Sequence, residues 1–199
     1  MFLNITRTRK DLSEILYNPQ ANGSDPVYLV FSQISDGPWE NITIISHGLL
    51  DKEYPKTYGH YHSHDSSPET FKVLFGNASF LLQEKYFEKS GPNTGVWIKN
   101  KVKRVIVVKV EKDEIITVMP NWAHSCSNLG SGPLVTVDDW KGGHTPPDYQ
   151  VIKDQKGLAY YLIEENGKFS FVKNPNYVDL PRPLVMTTIE FAKYQKENI

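Results

Sequence analysis

The sequence predicts an all-β domain, a barrel or sandwich of short strands, from the length and make-up of its apolar runs and from what separates them. The runs are short, rich in β-branched and aromatic residues, and follow one another along most of the chain. Turn residues part them at close spacing, the arrangement of barrels and sandwiches. Helical spacing is confined to the two ends.

In chain order, residues 11–18 (DLSEILYN) place Leu12, Ile15 and Leu16 at helical spacing and stop at Pro19, which predicts a short amphipathic helix. Residues 18–26 (NPQANGSDP) read as a loop. Strands are then expected over 27–34, 41–48, 71–76, 78–87, 102–110, 114–119, 134–140, 158–165 and 168–174. Residues 88–100 (EKSGPNTGVWIKN) read as an extended hairpin loop. Asn166–Gly167 is a type I′ hairpin signal, since both central positions of that turn need positive φ. Thr187 and Glu190 form a capping box that opens a C-terminal helix over about 188–198. One domain over 1–199 is expected, with its core barrel over about 27–174 and a helix at each end.

Composition narrows the function. With 39% hydrophobic and 23% charged residues there is enough apolar material for a core. The net charge of −1 supplies no basic field for nucleic acid or an anionic membrane. No apolar run reaches the roughly 18 residues of a membrane span. A single cysteine, Cys126, excludes an internal disulfide and fits a reducing compartment, and the start lacks the apolar stretch of a signal peptide, so a cytoplasmic protein is expected.

The chemistry concentrates in residues 59–76, GHYHSHDSSPETFKVLFG. His60 and His62 stand two apart, and side chains two apart on a strand share a face. If Glu69 opens the next strand after the loop 63–68, its carboxylate can join them, and two imidazoles with a carboxylate are a metal-site signature. His124, in MPNWAHSCSN (119–128), is the fourth candidate ligand. Three imidazoles and one carboxylate leave two positions of an octahedral ion open. Along the strands, Glu69, Phe71, Val73 and Phe75 share one face, and His124, Cys126 and Asn128 another. Phe71 and Cys126 therefore line the same pocket as the ligands. His47 and His64 read as surface residues, His144 as a residue of the pocket rim, and Lys56 as a solvated loop cation. Cys126 reads as a small buried hydrophobe, and one of Tyr160 and Tyr161 as core.

The spacing H-x-H, six residues, E, six residues, G, followed by P-x-x-x-H-x-x-x-N, resembles the two motifs of the cupin β-barrels. The words KTYGHYH (56–62), PETFKVLFGNASFLLQ (68–83), MPNWAHSCSNLGSGPL (119–134), PDYQVIKDQKGLAYYLIEENG (147–167) and NPNY (174–177) are similar, in order, to the archaeal-type (cupin) glucose-6-phosphate isomerases. The resemblance implies a cupin fold, that is, a double-stranded β-helix or jelly-roll barrel with short terminal helices. It implies a homodimer that interconverts glucose 6-phosphate and fructose 6-phosphate by moving hydrogen between C1 and C2, by an enediol or a hydride-shift route. It implies one divalent ion per chain on His60, His62, Glu69 and His124: Fe(II) first, then Mn(II), Zn(II) or Ni(II), among which ligand type alone does not select. Glu69 and Tyr149 become the catalytic residues, with Glu69 as base. Thr57, Gly59 and Tyr149, helped by Thr43, become the sugar-phosphate contacts, since hydroxyls and backbone amides hold phosphate well. The chain departs from the family pattern at Phe71 (usually Tyr), Cys126 (commonly Thr) and Asp113 (usually Gly), which bears on substrate contacts and not on the ligand set. Two alternatives stand beside the isomerase: a metal-dependent dioxygenase using the same ligands, and a non-catalytic sugar-phosphate-binding cupin.

Overall fold

The fold is a cupin-type jelly roll of two sheets, antiparallel except where Leu184–Thr187 runs parallel to its neighbour, seen in a computed structural model that describes residues 1–34, 37–62, 67–91 and 94–198. The six-stranded sheet has the order β1-β2-β3-β9-β4-β7, formed by Phe2–Arg7, Tyr28–Ser32, Asn41–Ile45, Leu134–Asp138, Glu69–Phe75 and Ile115–Val118. The four-stranded sheet has the order β12-β6-β5-β8, from Leu184–Thr187, Thr94–Val110, Ala78–Gly91 and Trp122–Asn128. A separate hairpin joins β10 (Tyr160–Glu165) to β11 (Lys168–Lys173). Asn166 and Gly167 turn it with φ of 53° and 73°, as the type I′ signal requires.

The core lies between the sheets. Fully buried Phe80, Leu82 and Ile106 from the four-stranded sheet and Ile45, Val73 and Leu134 from the six-stranded sheet belong to one cluster. Gly76 (φ 88°) turns β4 into β5, where a Cβ would meet the carbonyl oxygen of Pro133 at 2.9 Å. Asp113, where the resemblance expects Gly, takes φ 70° in the turn before β7, a conformation that Asp tolerates better than most residues. Asn128 closes β8 by donating to the carbonyls of Ser46 and Gly132 and accepting from Gly130 N–H.

Several expectations change. The N-terminal helix is one turn, α1 (Arg9–Leu12), followed by a 3₁₀ turn (Ser13–Ile15). Thr8 and Asp11 form its capping box, and the chain becomes extended at Leu16 (ψ 152°), short of the expected end. Strand β1 precedes it and β12 follows β11; neither shows the alternation that announces a strand, because both lie at sheet edges and are largely exposed. Where a loop over 88–100 is expected, β5 continues to Gly91 and β6 starts at Thr94, pairing as one long hairpin whose register shifts at bulges. Helix α2 (Pro146–Asp154) was unannounced; Thr145 and Asp148 cap it, and proline at its start lacks only an N–H that a first turn leaves unused. Tyr160 and Tyr161 are both buried, since β10 is covered on both faces. The C-terminal helix α3 (Thr188–Asn198) forms as expected, with Thr187 N–H donating to Glu190 at 2.8 Å. No described helix is long and apolar enough to cross a membrane.

Candidate metal centre and substrate cavity

His60, His62, Glu69 and His124 converge: one ligand atom from each lies within 4.8 Å of all the others. The elements that bring them together are not all strands. Glu69 opens β4 and His124 sits mid-β8, but His60 and His62 lie on an irregular arm. That arm is laid along β8 by reciprocal backbone hydrogen bonds between His60 and His124 (3.2 and 3.1 Å) and by Thr57 N–H to Cys126 (2.9 Å). His60 and His62 therefore converge without lying on a common strand, and of the two only His60 forms an isolated bridge, to His124. Gly59 (φ 82°) lets the arm lie so close: a Cβ there would meet Leu158 at 2.5 Å and the His124 carbonyl at 3.2 Å. Packing alone accounts for that glycine.

The Glu69 Oε2 atom is 3.0 Å from His62 Nε2, 3.1 Å from His124 Nε2 and 3.7 Å from His60 Nε2, while His60 and His62 Nε2 are 3.2 Å apart. Donors each about 2.1 Å from one ion stand about 3 Å apart when adjacent in an octahedron, so the spacing suits a shared divalent cation. His124 Nε2 is buried and makes no hydrogen bond despite its nearness to the carboxylate, as expected of a lone pair aimed at a point between the groups. Burial would raise the Glu69 carboxyl, but the imidazoles of His124, His60 and His62 gathered at it outweigh burial and hold the group well below the carboxylate range. Burial, reinforced by His144 and His124, pushes His60 well below the usual imidazole value. An anionic carboxylate and a neutral imidazole are the forms that bind metal.

The centre opens onto a cavity of about 530 Å³ lined by His60, Glu69 and His124. Thr43, Thr57, Gly59 and Tyr149, the expected phosphate contacts, also line it, as do Phe71 and Cys126. Thr43 faces inward from β3, and Tyr149 reaches in from α2 with its ring 5.6 Å from that of His60. The Thr57 hydroxyl is partly engaged already, accepting from Cys126 N–H at 3.0 Å. Lys56 is not a solvated cation: it is buried, 2.6 Å from Glu53 Oε1 and 2.9 Å from the Ile15 carbonyl, facing away from any ligand role. His144 belongs to the cavity wall, 3.8 Å from His60 ring to ring, and burial pushes it down to about 4. His47 is exposed as expected, and His64 lies outside the described residues.

Cavity residues that the sequence left unmarked are Trp140, stacked on His62 at 3.9 Å, together with Tyr28, Tyr58 and Asp138. Trp140 ends the expected strand 134–140, and although β9 stops at Asp138 the residue keeps the side of Thr136 and Asp138, which also line the cavity. Tyr28 alternates inward at the start of β2, the one signal available for that side chain.

Burial pushes the Cys126 thiol upward, away from the reactive thiolate. The native protein is expected to resist alkylation by iodoacetamide at neutral pH, with Cys126 labelled only after unfolding. Rapid labelling in peptide mass spectra of the folded protein would contradict this burial.

The profile of the family described as Glucose-6-phosphate isomerase (GPI) matches residues 26–179. Among curated relatives, the glucose-6-phosphate isomerase of Pyrococcus abyssi is 31% identical over 137 residues, covering 68% of this chain and 62% of that protein. That of Pyrococcus horikoshii is 28% identical over 173 residues, covering 83% and 81%. Among solved structures, the capsular polysaccharide assembling protein CapF of Staphylococcus aureus matches with a TM-score of 0.40 and 17% identity, over 64% of this chain and 30% of that one. With the matched region spanning both ligand motifs and the helix that carries Tyr149, the chain belongs to the glucose-6-phosphate isomerase (GPI) family.

Proposed function

We propose that the protein is a metal-dependent aldose–ketose isomerase that interconverts glucose 6-phosphate and fructose 6-phosphate. The observation that carries the reading is the convergence of three imidazoles and one buried carboxylate at the end of a cavity whose other wall offers hydroxyls. A divalent ion held by His60, His62, Glu69 and His124 would supply Lewis acidity toward the sugar oxygens of C1 and C2. Fe(II) is the first choice, with Mn(II), Zn(II) and Ni(II) as competitors. Glu69 presents Oε2 to the imidazoles, which leaves its other oxygen to take and return the proton that moves between C1 and C2. Thr57, Gly59, Thr43 and Tyr149 hold the phosphate and so fix the reacting carbons against Glu69. Phe71 and Cys126 add apolar surface to the cavity wall beside these groups.

A coupled assay on fructose 6-phosphate, after loading with each of the four metals, tests this. Turnover that a chelator abolishes and metal restores is expected. Absence of turnover with every metal, in protein that still binds the sugar phosphate, would leave a binding cupin. That second reading draws on Phe71, which brings no hydroxyl to the cavity beside Glu69.

A further inference from the structure

One buried charge-bearing group of the cavity has no part in the ligand set or the phosphate end. Asp138 closes β9, is 5% exposed and lines the cavity with His60 and Glu69. Its direction follows from the sheet. In register, Asp138 lies opposite Asn41 of β3 on one side and opposite Phe71 of β4 on the other. Phe71 shares its face with Glu69, two residues before it, so Asp138 points to the side where the metal ligands converge.

The carboxyl is held in one orientation. Asn41 Nδ2 donates to Oδ1 at 2.6 Å and the Trp140 backbone N–H donates to the same atom at 3.1 Å. Asn41 is itself fixed, donating to the Trp140 carbonyl at 3.0 Å and accepting from the Ser32 hydroxyl at 2.6 Å. Asn4 of β1 completes the row by donating to Ser32 at 2.9 Å. The row crosses adjacent strands along one wall, and its members line the cavity. Both hydrogen bonds end on Oδ1, and a carboxyl carries acceptor sites on both oxygens. Among the described residues no side-chain hydrogen bond reaches Oδ2, which is left for whatever fills the cavity, while Phe71 on the neighbouring strand offers only a ring. A buried carboxyl is costly unless its acceptors are used, and a polyhydroxylated ligand would use them.

We propose that Asp138 is a specificity-determining residue that accepts a hydrogen bond from a sugar hydroxyl close to the reacting carbons, with Asn41 as its positioning residue. The inference rests on the isomerase reading in taking a sugar phosphate as the ligand. It separates the polyol part of that ligand from its phosphate, and the test uses the separation. The affinities of the purified protein for sorbitol 6-phosphate and for inorganic phosphate are measured by calorimetry for wild type, Asp138→Leu and Asp138→Asn. The Leu variant should bind sorbitol 6-phosphate several-fold to about tenfold more weakly, the loss expected for one hydrogen bond, with inorganic phosphate unchanged. Asp138→Asn keeps the shape and one acceptor and should fall between, and it serves if the Leu variant does not fold. Asn41→Leu, which frees the carboxyl to swing, should give a smaller selective loss. Equal weakening of both ligands would reduce Asp138 to a structural role, and no weakening would remove the contact. Wild-type turnover of fructose 6-phosphate without selective loss overturns the inference alone. Selective loss without any turnover overturns the isomerase reading alone.

Discussion

Replacing Glu69 by Gln is expected to lower turnover of fructose 6-phosphate by roughly 10²–10⁴-fold, the range for loss of a general base, and to lower bound metal as well. Glu69 is 1% exposed, and its Oε2 is the atom on which the imidazoles converge. An amide keeps the shape, but it removes the negative charge and turns one oxygen into an N–H donor that opposes an ion. His124→Ala removes one proposed ligand and leaves the proposed base in place, so it should lower metal content and turnover together. Metal content by elemental analysis alongside steady-state rates separates the roles. Full metal with lost turnover in Glu69→Gln would make the residue a base more than a ligand; unchanged metal in both variants would put any ion elsewhere.

The second large effect is on stability. Lys56→Ala is expected to destabilise the fold by about 3–5 kcal/mol, the usual consequence of leaving one partner of a buried ion pair alone. Lys56 Nζ and Glu53 Oε1 are 2.6 Å apart, with side chains 8% and 2% exposed. Glu53 also accepts from Tyr17 N–H at 2.7 Å, so the pair ties the N-terminal turn to the arm that carries His60 and His62. Lys56→Met with Glu53→Leu should recover most of the loss, because a hydrophobic pair of similar volume avoids the lone buried charge. Urea unfolding of both variants checks this. A single variant within 1 kcal/mol of wild type would mean that water reaches the pair.

Much of the site was legible because its signals are local. The two histidines separated by one residue are legible as a motif but owe their placement to the arm's hydrogen bonds with β8. A glutamate at the head of a β-branched run and a histidine behind a proline turn carry their geometry in the nearest neighbours. The same holds for the Asn166–Gly167 hairpin and the Thr187–Glu190 cap, where backbone conformation follows from the residues at the turn itself. Hydrophobic period, in contrast, records burial, and burial depends on the partner. It vanished for β1 and β12 at the sheet edges, and it could not separate faces in β10, buried on both.

By itself, then, the amino-acid order determined a mostly β domain, its main strands, the ligand types and the family they resemble. Tertiary structure decided which way the uncommitted polar groups faced. Lys56 and Thr57 are adjacent, yet one turns into an ion pair beneath the arm and the other lines the cavity. Asp138 and Asp139 are adjacent too, and only the first lines the cavity, while the second accepts from Thr70 N–H. A charged side chain is placed by the donors and acceptors that other strands bring to it, over separations such as the 97 residues between Asn41 and Asp138, and no local pattern encodes that distance.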